Sequence, residues 1–303
     1  MRKAICLAVV AAMFPATAAA QCALPAAGET ASVALSGAQG AVTVHAPSAY
    51  RAGGEPLPLV FLLHGSGSTG AAMLRDSALA ATADAEGFIV VAPDAGIPLE
   101  RGFAWNIPGV PTVAGEIPGP DDRDDVAYLG GIADALVAQG CVDPERVYAT
   151  GLSGGGRMTS WLGCADSDRY AAIAPVVGLR AGRALPENHA QVDPASCRPD
   201  NPVPVIAFAG TKDRTNPLWG GQGMRWGYSM PAAERRWAAL NGCEWGPLVT
   251  WIDEDTYEHR FGACEDGADV VSRMEVEGGH SWVVDNGVLW DFFASHRRSR
   301  KSG

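Results

Sequence analysis

Three residues with the chemistry of a nucleophile, an acid and a base occur in that order along the chain. Ser153 lies among four glycines in the stretch VYATGLSGGGRMTSW, Asp213 lies in AGTKD, and His280 lies in EGGHSW. A serine hydroxyl attacks a carbonyl carbon efficiently only when a histidine accepts its proton and a carboxylate orients that histidine. The three residues therefore predict nucleophilic attack on an ester or amide, with transfer of the acyl group to Ser153.

The glycines around Ser153 predict a sharp turn between a strand and a helix. A β-branched, apolar run over Val147–Gly151 predicts the strand, and Gly154–Cys164 predicts the helix. Side chains two positions before and after the serine would collide with neighbouring elements, and Gly151 and Gly155 remove them. Such a turn, a nucleophile elbow, presents the serine hydroxyl above the sheet at a helix N-terminus. The alternative is a glycine-rich turn with an idle serine.

Asp213 and His280 are chosen because each directly follows a predicted core strand, at the carboxyl end where the serine emerges. The other candidate acids in the right order are Asp193, Asp200 and Asp253, and none of them directly follows a parallel strand. Among the histidines, His64 ends a strand but precedes the serine. His189, His259 and His296 have no such placement.

Two backbone N–H groups are expected to stabilise the oxyanion of the tetrahedral intermediate. One belongs to Gly154, directly after the nucleophile. The other belongs to Ser66 in the loop HGSGSTG, where glycines let the backbone approach a substrate closely. A phosphate-binding loop is excluded, because this stretch lacks the Gly-Lys-Ser/Thr ending of that motif.

Short apolar strands alternate with helical patterns along the chain, which predicts an α/β fold with a mostly parallel central sheet and helices on both faces. The predicted strands are Leu59–Leu63, Phe88–Ala92, Val147–Gly151, Ala172–Val177, Val203–Ala209 and Val270–Val276. The predicted helices are Ala71–Glu86, Asp125–Gln139, Gly154–Cys164, Pro231–Leu240 and Val284–His296. Two hairpin-like strands before residue 57 are expected at one edge of the sheet, and Asp124 and Asp125 are expected to cap the helix that follows them.

Three long irregular segments leave strands on the side where open α/β sheets place their sites. They are Ala95–Arg123, Gly178–Pro202 and Arg214–Met230. Loops of this length in a compact domain are commonly functional. We expect Trp105 and Trp219 to contact substrate, because loops rich in proline and glycine are poor places to bury an aromatic ring.

Residues 1–20 have a basic head, an apolar stretch and a small-residue end, which predict a secretory signal peptide and a secreted or periplasmic protein. Residues 21–303 are expected to form one domain with a short, disordered basic tail, RRSRKSG. The formal charge of −11, or −13 without Arg2 and Lys3, disfavours nucleic acid and anionic membranes as partners. No later segment is long and apolar enough to span a membrane, and we expect neither a metal nor a cofactor.

Six of the seven cysteines remain after removal of the signal peptide: Cys22, Cys141, Cys164, Cys197, Cys243 and Cys264. An even number of cysteines in an exported protein indicates three disulfides. Fifteen pairings are possible, and the spacing alone does not choose among them.

The sequence resembles the secreted esterase family that contains poly(3-hydroxybutyrate) depolymerases and feruloyl or acetylxylan esterases. The matching pieces, in order, are PLPLVFLLHGSGSTG, CVDPERVYATGLSGGGRM, RYAAIAPVVG, AGTKDRTNP, WAALNGC and VEGGHSW. This resemblance implies an α/β-hydrolase fold, the triad Ser153, Asp213 and His280, and a Cys243–Cys264 disulfide. For the other cysteines we expect Cys164 with Cys197 and Cys22 with Cys141.

Two positions depart from that family. Its members commonly have histidine where Ala209 stands and proline where Val283 stands, and both lie near the expected pocket. The function that we predict is a secreted serine esterase acting on a polyhydroxybutyrate-type polyester or its oligomers, or on feruloyl or acetyl esters of plant polysaccharide. A non-catalytic polysaccharide- or polyester-binding protein on the same scaffold is the alternative from another class, and a serine peptidase is a third.

Overall fold

The computed structural model describes residues 22–298. The predicted signal peptide and residues 299–303 of the predicted basic tail lie outside this range. The strands are β1 (Thr30–Ala34), β2 (Ala41–His45), β3 (Leu57–Leu63), β4 (Ile89–Ala92), β5 (Ile97–Pro98), β6 (Phe103–Ala104), β7 (Val142–Leu152), β8 (Ala172–Val176), β9 (Ala184–Leu185), β10 (Asn188–Val192), β11 (Val205–Gly210), β12 (Trp245–Trp251), β13 (Thr256–Gly262) and β14 (Val270–Glu275). The helices are α1 (Gly70–Ser77), α2 (Leu79–Glu86), α3 (Asp125–Ala138), α4 (Gly154–Ala165), α5 (Gly223–Trp226), α6 (Met230–Leu240) and α7 (Asn286–Ala294).

Ten of the strands form one sheet in the order β1-β2-β4-β3-β7-β8-β11-β14-β13-β12. The neighbours from β4 to β14 pair in parallel, and the hairpins β1–β2 and β12–β13 extend the two edges antiparallel. The six parallel strands are the six that the sequence predicts, with ends that differ by up to five residues. Parallel pairing places all six carboxyl ends at one edge, so the loops that follow them meet there.

Alternate residues of the central strands lie in two separate hydrophobic cores, one on each face of the sheet. Leu59, Phe61 and Leu63 of β3 pack in the core that α3, α4 and α6 cover. Val60 and Leu62 of the same strand pack in the core that α1, α2 and α7 cover. The two-residue period of a strand thus buries both faces, which explains why these strands are continuous apolar runs.

The predicted helix Ala71–Glu86 is wrong as a single element, because the structure breaks it at Ala78. This residue has the left-handed φ of 55° and separates α1 from α2. Leu74 and Leu79, five positions apart, are both buried in the same core. On one straight helix their side chains would point about 140° apart, so the break turns α2 to bury both.

Each of the three segments predicted to be irregular contains a short regular element. Ala95–Arg123 contains the antiparallel pair β5–β6, Gly178–Pro202 contains the antiparallel pair β9–β10, and Arg214–Met230 contains α5. The hairpin β12–β13 was not predicted at all, and every residue of β12 is exposed. An exposed strand lacks the alternation of buried and exposed positions on which its prediction depends.

The six cysteines form three disulfides: Cys22–Cys141, Cys164–Cys197 and Cys243–Cys264. The first fastens the beginning of the described chain to the residue before β7, and the second fastens the end of α4 to the loop after β10. At the other end, Arg298 donates hydrogen bonds to the carbonyl oxygens of Ser167 and Tyr170. None of the described helices is long and apolar enough to cross a membrane.

We expect Ala78→Gly to raise the free energy of unfolding by about 0.5–1 kcal/mol. Glycine adopts a positive φ without the steric cost that a Cβ imposes. This steric cost exceeds the additional backbone entropy that glycine, compared with alanine, loses on folding. The matched control is Ala81→Gly, at an exposed position inside α2, which should lower the free energy of unfolding by up to about 1 kcal/mol. Urea denaturation of both variants measures the two values. A loss of stability in Ala78→Gly would contradict the reason given for the break.

Candidate active site

Ser153 lies between β7 and α4 with the strained backbone angles φ 57° and ψ −110°. Its N–H donates to the carbonyl oxygen of Val176, at 2.9 Å, at the end of β8. A Cβ on Gly151 would lie 2.6 Å from the carbonyl oxygen of Leu63, and one on Gly155 would lie 2.7 Å from that of His64. Any side chain at these two positions would therefore separate α4 from β3. The Ser153 hydroxyl does not cap the helix.

Asp213 and His280 are brought into direct contact at the carboxyl ends of β11 and β14. Asp213 Oδ2 accepts a hydrogen bond from His280 Nδ1 at 2.8 Å. Its other oxygen accepts the N–H groups of Thr215 and Asn216, each at 2.8 Å. Because Nδ1 donates to the carboxylate, the neutral imidazole keeps Nε2 without a proton, which is the form that can accept one.

The Asp213 carboxyl is held in its ionised form. Burial by itself raises its pKa, but the hydrogen bonds from His280, Asn216 and Thr215 outweigh burial and bring the pKa below its ordinary value. A carboxylate in this environment keeps its negative charge at neutral pH and can balance a positive charge that develops on His280.

The other candidate acids and histidines are placed elsewhere. Asp193 pairs with Arg183, whereas Asp200 and Asp253 are exposed. Two of the other histidines have partners of their own: His259 contacts Glu234, and His296 contacts the carbonyl oxygen of Phe292. Within residues 22–298, Ser153 and His280 form no hydrogen bond with each other. In hydrolases without substrate, the distance between the nucleophile and its base is often too long for a hydrogen bond and shortens when substrate binds.

Ser66 and Gly154 lie side by side at the start of α4. A Cβ on Gly154 would lie 3.0 Å from the backbone nitrogen of Ser66. Among the described residues, neither of their N–H groups donates to a protein acceptor. Two free donors next to Ser153 can accept an oxyanion without breaking any bond of the folded protein.

His64, which sequence reasoning set aside, fixes the loop that carries Ser66. Its buried ring donates from Nδ1 to the carbonyl oxygen of Gly65 at 2.8 Å and accepts the N–H of Ala95 on Nε2 at 3.0 Å. Burial lowers the pKa of His64. The neutral ring therefore joins the loop after β3 to the loop after β4, and its position directly after a strand was the available signal.

Of the two acids expected to cap α3, Asp124 does so and Asp125 does not. Asp124 caps α3 as expected, accepting the N–H groups of Val126 and Ala127. Asp125 is fully buried, pairs with Arg123, and accepts the N–H of Asn106 at 2.8 Å. It thereby fastens the long loop after β4 to the first turn of α3.

The two tryptophans expected to contact substrate differ in environment. Trp105 is 4% exposed, so its loop buries a ring that we expected to be exposed. Its Nε1–H donates to the carbonyl oxygen of His64 at 2.8 Å, and His64 lies beside its ring. Trp105 nevertheless lines a small cavity together with Ser66 and Gly154. Trp219 is 75% exposed, in the segment after β11.

The sheet order, the elbow after β7 and the loops at the carboxyl edge define an α/β hydrolase. Residues 42–207 match the family model described as esterase PHB depolymerase. The chain belongs to this family.

Individual relatives and structures are also similar to this chain. Feruloyl esterase B of Piromyces equi is 30% identical over 262 residues, which are 83% of this chain and 44% of that protein. Poly(3-hydroxyalkanoate) depolymerase C of Paucimonas lemoignei is 32% identical over 136 residues, 44% of this chain and 30% of that protein. The chain thus spans less than half the length of either relative. The structure of an acetyl xylan esterase from Aspergillus awamori matches with a TM-score of 0.58 and 13% identity, covering 84% of this chain and 93% of that one.

We expect the stability of the protein to depend on pH through His64. Burial holds its folded-state pKa below the ordinary 6.5, so in mildly acidic solution the unfolded chain binds a proton that the folded chain does not. The corresponding stability is complete above pH 6.5 and is lost as the pH falls toward the folded-state pKa. The free energy of unfolding of the wild type should therefore fall more between pH 7.5 and pH 5 than that of His64→Gln. Equal losses would contradict a neutral, buried His64.

Proposed function

We propose that the chain is an ester hydrolase that acts through an acyl-enzyme on Ser153. His280 Nε2 takes the proton of the Ser153 hydroxyl as the oxygen attacks the ester carbonyl, and later returns it to the leaving alcohol. Asp213 orients the imidazole and balances its charge. The N–H groups of Ser66 and Gly154 stabilise the oxyanion, and water then attacks the acyl-enzyme with His280 again as the base.

One observation carries this proposal: the hydrogen bond of 2.8 Å between Asp213 and His280 at the same sheet edge as the strained Ser153. The strained φ at Ser153 supports it independently, because natural proteins keep such angles where function needs them. Membership of an esterase family favours an ester over an amide as substrate. A non-catalytic binding protein would have no use for the ionised Asp213 and its histidine.

The substrate class that we propose is a carboxylic ester of a polyester oligomer or of a plant polysaccharide. It rests on the names of the relatives, which include a feruloyl esterase and a poly(3-hydroxyalkanoate) depolymerase. We propose that exposed Trp219 contacts such a substrate, since an aromatic face packs on sugars and on apolar chains. Comparing methyl ferulate, acetylated xylan and hydroxybutyrate oligomers as substrates would choose among these esters.

We also propose that the chain is exported, with residues 1–20 removed and the remainder forming one domain. Three disulfides support export, because disulfides persist in oxidising compartments. Sequencing the N-terminus of the protein recovered from the medium or the periplasm tests it. A mature protein that still begins at Met1 would contradict it.

An organophosphonate should label the protein once per chain, at Ser153. The phosphonate reacts with a serine activated by a histidine and stops at a stable adduct. Mass spectrometry of the intact protein and of its peptides locates the adduct. Ser153→Ala should remove the labelling, and Ser160→Ala, on the same helix, should retain it. A folded wild type that takes up no label would reject the proposed function.

We expect Asp213→Asn to reduce kcat by about 10⁴ without unfolding the protein. The amide is nearly isosteric, but it favours the wrong imidazole tautomer and cannot balance an imidazolium. The matched controls Asp193→Asn, Asp200→Asn and Asp253→Asn should each keep kcat within a few-fold. Hydrolysis of a 4-nitrophenyl ester measures all four. Normal turnover in Asp213→Asn would show that another group orients the base.

A further inference from the structure

Four arginines line a narrow cleft near the start of α4, and among the residues that the structure describes only Arg183 of the four pairs with an acid, Asp193 at 3.5 Å. The other three are Arg157, Arg180 and Arg225. Arg157 is on the first turn of α4, Arg180 follows β8, and Arg225 is in α5. They lie close together, although 68 positions separate the first from the last in the sequence. Arg157 and Arg180 are only 7% and 8% exposed, respectively. Their long side chains thus hold charged groups inside the protein surface.

Arg157, Arg180 and Arg225 lack acidic partners in the described part of the chain. Within residues 22–298, none of the three forms an ion pair. Arg180 donates to the carbonyl oxygens of Leu179 and Arg225, at 2.8 and 3.4 Å. The buried Nε atoms of Arg157 and Arg225 have no acceptor in the described part of the chain. The cleft therefore has N–H donors without acceptors.

Aromatic rings hold the guanidinium groups in place of acids. The guanidinium carbons of Arg157 and Arg180 lie 4.8 and 4.4 Å from the centre of the Trp226 ring. Arg180 also lies over the ring of Tyr228. Such contacts position a planar cation without using the N–H groups at its edge. Those edges stay available to a ligand.

The arrangement is costly unless an anion enters it. Burial, together with the positive charges of Arg180 and Arg225, lowers the pKa of Arg157 to about 9. Burial lowers the pKa of Arg180 to about 10. Elsewhere in the molecule, Arg123 and Arg169 meet acids that balance them. The chain as a whole is acidic, with a net charge of −11, so this local excess of positive charge does not follow from its composition.

The cleft adjoins the cavity next to the proposed oxyanion donors. Ile107, Val110, Arg157 and Arg225 line both the arginine cleft and the cavity that reaches Ser66 and Gly154. Arg157 follows Ser153 by one helical turn, a rise of about 6 Å. Side chains on a helix lean toward its N-terminus, here toward Ser153. The cleft has a volume of about 20 Å³, which suits a group the size of about one or two water molecules.

We infer that this cleft binds a carboxylate of the substrate, so that the enzyme prefers esters carrying a free carboxylate about one helical turn from the scissile carbonyl. A carboxylate is small and planar, and it accepts two parallel hydrogen bonds from a guanidinium. Short oligomers of hydroxy acids and monoesters of dicarboxylic acids belong to this class. The inference rests on the proposed ester hydrolysis at Ser153, and it deepens that proposal by naming a feature of the substrate.

Two substrates that differ only in charge test the inference. One is the 4-nitrophenyl monoester of adipic acid, whose extended chain separates ester and carboxylate by about 6 Å. The other is the 4-nitrophenyl ester of adipamic acid, with a neutral amide in place of the carboxylate. We expect the kcat/KM of the wild type to be at least about tenfold higher for the carboxylate ester than for the amide ester. The overall negative charge of the protein alone would have the opposite effect, because it repels the carboxylate. Equal values for the two esters would overturn the inference.

The arginine variants give the second comparison. Arg157→Gln and Arg225→Gln should each reduce the preference about tenfold, mainly through KM for the carboxylate ester, as loss of a hydrogen bond to a charged group predicts. Arg235→Gln is the matched control, because Arg235 is exposed on α6 and lines neither the cleft nor the cavity next to Ser66. Its preference should stay within a factor of two. Arg225 is half-buried on a short helix, so its variant should fold even if Arg157→Gln does not.

A binding measurement separates failure of this inference from failure of the proposed function. Adipate should bind to Ser153→Ala and alter its tryptophan fluorescence, to which Trp226 contributes. Adipamide should not, and adding Arg225→Gln should weaken adipate binding about tenfold. If no ester is hydrolysed and Ser153 takes no phosphonate label, the proposed function fails, while adipate binding that depends on Arg225 would still support an anion site. Failure of adipate to bind to Ser153→Ala would overturn that site.

Discussion

The structure depends on a close approach between the end of β3 and the start of α4, where Ser153 joins β7 to α4 in a strained conformation. The N–H of Ser153 donates to the carbonyl oxygen of Val176, which helps to hold its positive φ. The glycines at positions 151 and 155 allow the close approach, because a side chain at either one would clash with its neighbours. Because the backbone on both sides of this turn is closely packed, the position of the Ser153 hydroxyl relative to the sheet edge is fixed. Every other group of the proposed mechanism is positioned relative to that edge by the parallel strands.

The elbow and the acid–base pair could be predicted because their signals are local. The glycines around the serine are required by steric contacts within a few residues of it, so the sequence shows them directly. Asp213 and His280 each follow a strand that is a continuous apolar run. The break at Ala78 could not be predicted in this way, because it depends on where Leu74 and Leu79 find their core. Arg157, Arg180 and Arg225 each resemble an ordinary charged residue until the fold places them together, without an ion pair among the described residues.

The loops around the site are held by polar groups inside the protein rather than by regular structure. The ring of His64 and the carboxylate of Asp125 both accept hydrogen bonds from N–H groups of the loop after β4. From the same loop, the Trp105 indole donates to the carbonyl oxygen of His64, directly after β3. This same loop supplies Ile107 and Val110, which form the wall shared by the oxyanion cavity and the arginine cleft. In the proposed substrate complex, this loop therefore sets the distance between the bound carboxylate and the reacting carbonyl. The buried hydrogen bonds of His64, Asp125 and Trp105 thus also set the length of substrate that fits.

The exposed edge strand β12 bears on how the molecule behaves at high concentration. It ends the described sheet with Leu248, Val249 and Trp251 in water, and an uncovered apolar edge is a template on which another strand can add. Pro247 removes one N–H from that edge, but the residues after it keep theirs. Repulsion between chains of net charge −11 opposes such addition. Because salt screens that repulsion, the protein should aggregate more readily as ionic strength rises.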